Sequence, residues 1–187
     1  MYRAVTWLAL KRGVDVLDQT AVALVAEGAR IMVREASSPV EPTNVLLDDE
    51  DATPHLRDAD VEANVSLVSR VPAVRAALVR IQRDLAADGG VVMAGRDIGT
   101  VVLPDAMLKI YLDASREVRA HRRANQLREA GENPDLDALI RDLARRDGID
   151  SSREASPLTA APGAVIINTD DIDVEEVVRR IVALAHE

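Results

Sequence analysis

The sequence contains no cysteine. That excludes a disulfide scaffold, a thiolate metal site and a cysteine nucleophile. Phenylalanine is also absent, and the only aromatics are Trp7, Tyr2 and Tyr111. So few flat rings cannot build a base-stacking platform for single-stranded nucleic acid. The three histidines, His55, His121 and His186, are scattered and do not recur at zinc-ligand spacing. Lysine is scarce too, with Lys11 and Lys109 the only two among 23 basic residues. The other 21 are arginine, a bias that a GC-rich genome would also produce. No apolar run approaches the roughly 18 residues that span a bilayer, and no signal peptide opens the chain. A soluble, cytoplasmic protein with no membrane or nucleic-acid partner is expected.

What is present is a chain of 187 residues, 48% of them hydrophobic, enough for a core. Its net charge of −9 argues against sequence-independent binding to nucleic acid. The charge is unevenly spread. Residues 116–153 hold nine arginines against eight acidic residues, whereas the rest holds 14 basic and 24 acidic. A nearly neutral, arginine-rich stretch inside an acidic protein can hold a small anion locally. Nothing signals a large exposed apolar face, and a monomer is expected.

Periodicity outlines the elements. Tyr2, Val5, Leu8 and Ala9 keep helical spacing up to Gly13. Residues 20–58 mix short apolar runs (Ala29–Val33, Val45–Leu47) with turn-rich Ser37-Ser38-Pro39 and acidic Asp48–Asp51, which predicts a small β-rich insertion. A helix is expected over 59–69, and another from Pro72 to the stop at Gly89-Gly90. Val91-Val92-Met93, Leu108–Leu112 and Val165-Ile166-Ile167 are strand candidates. Ser115 can cap a helix to about Arg128. Asn133-Pro134 opens a further helix, broken at Gly148. Asp173 and Glu176 stand in capping-box spacing before a last helix with Val174, Val177, Val178, Ile181 and Val182 on one stripe. Strands alternating with helices predict a mostly parallel sheet covered on both faces.

Three constellations can carry chemistry. Gly95-Arg96-Asp97-Ile98-Gly99-Thr100 follows a predicted strand, where open parallel sheets bind ligands. Arg96 offers a planar fork for phosphate, and Asp97 can accept from an amino group. The same residues also fit a plain turn with an internal ion pair. Arg119, Arg122, Arg123 and Gln126 share one helix stripe, either a solvated face or a wall towards a polyphosphate. Arg146, Asp150 and Arg153 lie near the Gly148 break, on either an exposed loop or a lid that closes over phosphates. A P-loop needs glycines followed by Gly-Lys-Ser/Thr. Arg12 follows Lys11 and Ile110 follows Lys109, so neither lysine fits.

These pieces, in this order, resemble the bacterial cytidylate (CMP/dCMP) kinase family. The resemblance rests on Met1-Tyr2-Arg3-Ala4, Pro72-Ala73-Val74-Arg75, Gly95 through Thr100 with Val101-Val102-Leu103-Pro104-Asp105-Ala106, Arg119-Ala120-His121-Arg122-Arg123, Arg146-Asp147 through Asp150 and Arg153, and Pro157-Leu158. It runs from the first residue to the last.

The resemblance implies an adenylate-kinase-like α/β fold with a parallel-sheet core. Within one kinase domain, residues 20–88 would form a monophosphate-binding region with its β insertion, and residues 131–160 a lid. It implies transfer of the ATP γ-phosphoryl group, with Mg²⁺, to CMP or dCMP. Arg3, Arg96 and Arg153 would hold the CMP phosphate and line the transfer zone. Ser66, Arg75 and Asp97 would read cytosine, and Arg146 and Asp150 would touch the sugar. Arg96, Arg146 and Arg153 would be the catalytic arginines, and Arg119, Arg122 and Arg123 would face ATP. The family's opening strand and P-loop have no counterpart here, which implies an N-terminally truncated kinase sequence. A non-catalytic CMP-binding remnant and a kinase for another pyrimidine monophosphate, such as UMP, are the alternatives.

Overall fold

The computed structural model describes residues 1–34, 44–129, 131–151 and 159–186, with backbone alone for residues 146 and 149–151. It forms two compact units, Met1–Val91 and Val92–Glu187. Among the described residues, no helix is long and apolar enough to cross a membrane.

The first unit is helical with one small sheet. Its helices are α1 (Tyr2–Lys11), α2 (Gln19–Gly28), α3 (Ala59–Val68) and α4 (Pro72–Leu85). Helix α1 packs on α3, and α2 on α4. Their buried stripes meet in one core, where Val5, Val22, Val61, Val74 and Leu78 are almost wholly buried. Proline at the first turn of α4 suits a position whose amide needs no helical partner. Asp18 starts α2 by accepting from the amide of Ala21 at 3.0 Å.

Strands β1 (Ile31–Arg34), β2 (Asn44–Leu47) and β3 (Glu50–Asp51) form an antiparallel sheet in that order. Leu47 pairs with Ile31 on one side and with Glu50 on the other. The β2–β3 turn is Asp48-Asp49, with φ of 50° and 70°. Two left-handed residues in a two-residue loop match the twist of a hairpin, and aspartate tolerates that region. Beyond β3 a short 3₁₀ turn, Thr53–His55, carries His55 onto Trp7 of α1. The two rings stack at 5.3 Å with an interplanar angle of 8°. The Lys11 ammonium lies 4.8 Å from the Trp7 ring centre.

The second unit holds β4 (Ile110–Asp113), α5 (Arg116–Glu129), α6 (Leu136–Ser151), β5 (Val165–Asn168) and α7 (Val174–Ala185). Strands β4 and β5 run parallel, from Ile110 beside Val165 to Asp113 beside Asn168. The segment between them carries α5 and α6, which pack on each other. Three short polar side chains start the helices. The Ser115 hydroxyl accepts from Val118 N at 3.3 Å, and Asp173 accepts from Glu176 N at 2.8 Å. Asp135 accepts from Asp137 N and Ala138 N at 2.9 and 3.1 Å.

Four sequence expectations change. Residues 20–58 are not only β-rich, because α2 occupies Gln19–Gly28. Its Asp18 cap and the buried Val22, Val25 and Ala26 are helical signals. Val91-Val92-Met93 is not a strand. A strand exists only by pairing, no partner for it lies among the described residues, and Val92 stays 95% exposed. Gly148 does not break α6, which continues to Ser151. One glycine costs a helix interior only about 1 kcal/mol. Asp147, just before it, is also anchored by Arg119. Finally, the parallel strands are not covered on both faces, for Leu112 is 52% and Ile166 62% exposed.

Candidate functional site

The first unit brings Arg3, Ser66 and Arg75 onto three helices that meet. Arg3 stands in the opening turn of α1. Its Nη1 donates to the Leu56 carbonyl at 2.8 Å and to Glu62 Oε1 at 2.9 Å. Ser66 lies on the buried side of α3, and its carbonyl accepts from the Ser69 hydroxyl at 3.2 Å. Arg75, on α4, is a buried cation at 7% exposure. Its Nη1 donates to the Ser69 carbonyl at 3.4 Å, and its guanidinium lies 5.6 Å from the Tyr2 ring centre. A buried guanidinium needs acceptors and a polarisable face, and Ser69 and Tyr2 provide them. Tyr2 precedes Arg3 directly, so α1 joins two candidate arginines.

In the second unit, Gly95 through Thr100 forms a tight turn that leads into a π-type turn, Ile98–Val102. The Asp97 carbonyl accepts from Val101 N at 2.9 Å and Val102 N at 3.2 Å. Asp97 is 7% exposed, whereas its neighbour Arg96 is exposed. Gly99 suits a close approach: a Cβ there would stand a tight 3.1 Å from the Cβ of Ala161. The turn therefore fixes a buried carboxylate residue beside an outward cation.

The arginines of α5 are divided between two partners. Arg119 makes a two-pronged contact with Asp147 of α6, Nη1 to Oδ1 at 3.1 Å and Nη2 to Oδ2 at 2.7 Å. Those hydrogen bonds, foremost, hold the Asp147 carboxyl below its ordinary value; burial opposes them, and the Arg119, Arg96 and Arg116 charges add to them. The same hydrogen bonds push Arg119 up, again against burial. Arg122 instead donates to Thr169, reaching its hydroxyl at 3.0 Å and also its carbonyl. Arg123 is half-buried on the same helix. Arg146 and Asp150 fall on α6 but their side chains lie outside the described residues, and Arg153, with Pro157-Leu158, lies wholly outside them.

Three residues with structural weight at these sites were not singled out from the sequence. Glu62 holds Arg3 across a separation of 59 residues, and no local pattern points to it. Asp147 holds Arg119, and Thr169 holds Arg122. The adjacency of Asp147 to Arg146 in the Arg-Asp pair was its only signal.

The sequence is similar to known phosphotransferases. The sequence model described as "Cytidylate kinase" matches residues 1–187. A cytidylate kinase of Pelotomaculum thermopropionicum is 46% identical over 183 residues, 98% of this chain and 80% of that protein. A cytidylate kinase of Streptococcus suis is 46% identical over 187 residues, all of this chain and 82% of that protein. A bifunctional pantoate ligase/cytidylate kinase of a Synechococcus strain is 44% identical over 98% of this chain, which spans 34% of that longer protein. The α/β units with a parallel strand pair fit the nucleoside monophosphate kinase class. The chain belongs to the cytidylate kinase family.

Proposed function

We propose that the protein transfers the γ-phosphoryl group of ATP to the phosphate of CMP or dCMP, giving CDP or dCDP. The observation that carries this is the family match along all 187 residues. Phosphoryl transfer is mostly positioning and charge neutralisation, which suits a chain whose cations are nearly all arginine. On the first unit, Arg3 takes the CMP phosphate, and Ser66 and Arg75 belong to the cytosine site. On the second, Asp97 accepts from the exocyclic amino group that uracil lacks. Arg96, Arg146 and Arg153 neutralise charge during transfer, and Asp150 with Arg146 serves the sugar. Arg119, Arg122 and Arg123 support the ATP side. Arg119 and Arg122 do so by fixing α5 to α6 and to the loop after β5, since their guanidinium N–H groups donate to Asp147 and Thr169 there. A monomer in the cytoplasm goes with this proposal.

Among the described residues, no three His, Asp or Glu gather into a metal-holding group. The described residues therefore offer no ready-made cage, and Mg²⁺ would enter with the nucleotide, held largely by phosphate oxygens and water. The 187 residues also include no glycine-rich loop ending in Gly-Lys-Ser/Thr. That absence favours a second reading, in which the polypeptide binds CMP without productive transfer.

Calorimetric titration with CMP and UMP, together with a coupled ATP assay, tests both. CMP should bind at least about tenfold more tightly than UMP, because a pocket built for an amino group leaves its acceptor unpaired against a carbonyl. Turnover in the roughly 1–100 per second range of kinases is expected of the first reading, and CMP binding without turnover of the second. Equal affinity for the two nucleotides overturns the cytosine assignments. Ordinary turnover overturns the CMP-binding-only alternative.

A further inference from the structure

Arginine has five N–H donors, two of them on Nη1. In Arg3 both Nη1 protons have partners, the Leu56 carbonyl at 2.8 Å and Glu62 Oε1 at 2.9 Å. These acceptors come from different places: Leu56 follows the 3₁₀ turn, and Glu62 lies in the first turn of α3. Two acceptors from two elements on one nitrogen fix the plane of the guanidinium. Among the described residues, Nε and Nη2 of Arg3 take no protein partner. That pair of nitrogens is the edge that grips two oxygens of a phosphate at once. The Arg3 side chain is 36% exposed, open enough for a ligand, while Glu62 is 19% exposed and sits behind it.

We infer that Glu62 is a positioning residue for the substrate phosphate. It acts through Arg3, holding one nitrogen so that the opposite edge is already aimed when the nucleotide arrives. This rests on the proposal that Arg3 takes the CMP phosphate. Without Glu62, the long arginine side chain would have to be ordered at the moment of binding, which weakens affinity. A carboxylate near an anion site also repels phosphate, and its removal alone would strengthen binding. The two effects have opposite signs, so the sign of the change decides between them.

The test is calorimetric titration of residues 1–187 and its variants with CMP and with cytidine, which lacks the phosphate. Glu62→Ala should weaken CMP by about tenfold, or 1.4 kcal/mol, and leave cytidine unchanged. Glu62→Gln keeps an acceptor oxygen for Nη1 and should recover most of the loss. It also serves where the alanine variant does not fold. A purely structural role for Glu62 would weaken CMP and cytidine alike. Unchanged or tighter CMP binding in Glu62→Ala, with Arg3→Ala weakened for CMP alone, overturns the role of Glu62. Equal CMP and cytidine losses in Arg3→Ala, or none, overturn the assignment of Arg3 to the phosphate instead.

Discussion

The two units hold together by different means. Met1–Val91 closes on an apolar core, with Val5, Val22, Val61, Val74 and Leu78 at no more than 1% exposure. Among the described residues of Val92–Glu187, the buried apolar ones are Val102, Ala120, Ala124 and Ile167, two of them alanines. Helix α7 has no buried residue, and Val174 is 77% exposed. The second unit relies on polar ties instead. Arg119 grips Asp147, Arg122 grips Thr169, and the Thr169 hydroxyl donates to the Asp113 carbonyl at 3.0 Å. Asp170 accepts from Ser115 N at 2.7 Å. Apolar burial scales with area and is indifferent to pH, whereas ion pairs and charged hydrogen bonds respond to pH and salt. One chain therefore carries two kinds of sensitivity.

Core truncation should show the contrast most strongly. Leu78→Ala removes a side chain with no exposed surface and should cost the first unit about 2–5 kcal/mol. Val178→Ala on α7, where the side chain is 51% exposed, should cost less than about 0.5 kcal/mol. Thermal melts of both variants measure this, and similar losses would erase the distinction between the units.

A smaller effect is expected from breaking a polar tie. Arg119→Ala should destabilise the second unit by about 1 kcal/mol, held near the low end because 36% of the side chain meets solvent. Asp147→Asn should act through the same contact. The double variant should then lose less than the sum of the two, as urea unfolding of the three proteins would reveal.

The smallest effect is a pH slope. The folded-state value of Asp147 lies below its unfolded value, chiefly through the Arg119 hydrogen bonds. Such a group stabilises fully above its unfolded value and loses that contribution as pH falls through the folded one. Stability of the second unit should therefore decline below about pH 4, near the ordinary aspartate value. Asp147→Asn should flatten that part of the acid slope. An unchanged slope in the variant would place the acid sensitivity elsewhere.

Local signals were legible in the sequence. The Ser115 and Asp173 caps, Pro72 at a first turn and the 3.6-residue stripes each act within one helix turn, so they mark α4, α5 and α7 directly. Pairing between distant segments was not legible. Val91-Val92-Met93 has the composition of a buried strand, but composition cannot supply a neighbour. Likewise the stripe on α7 predicts a buried face, whereas burial depends on what stands opposite. At the candidate site, Arg3, Arg75, Arg96, Asp97 and Arg119 could be named because they fall in motifs, and Ser66 only through the family resemblance. Glu62 could not, since its tie to Arg3 exists only once α1 and α3 have packed. The same holds for Thr169 and Arg122, 47 positions apart.

The stacked ring pair has an optical consequence. Trp7 is the chain's single indole, 8% exposed, stacked on His55 and with its ring centre 4.8 Å from the Lys11 ammonium. All tryptophan emission therefore originates inside Met1–Val91, where it senses the seam between α1 and the turn after β3. Tryptophan fluorescence watches one unit and is blind to the other, whereas far-ultraviolet circular dichroism sums the helices of both. Recorded on one sample, the two signals act as separate clocks, and the interval between their transitions measures how far the halves unfold together.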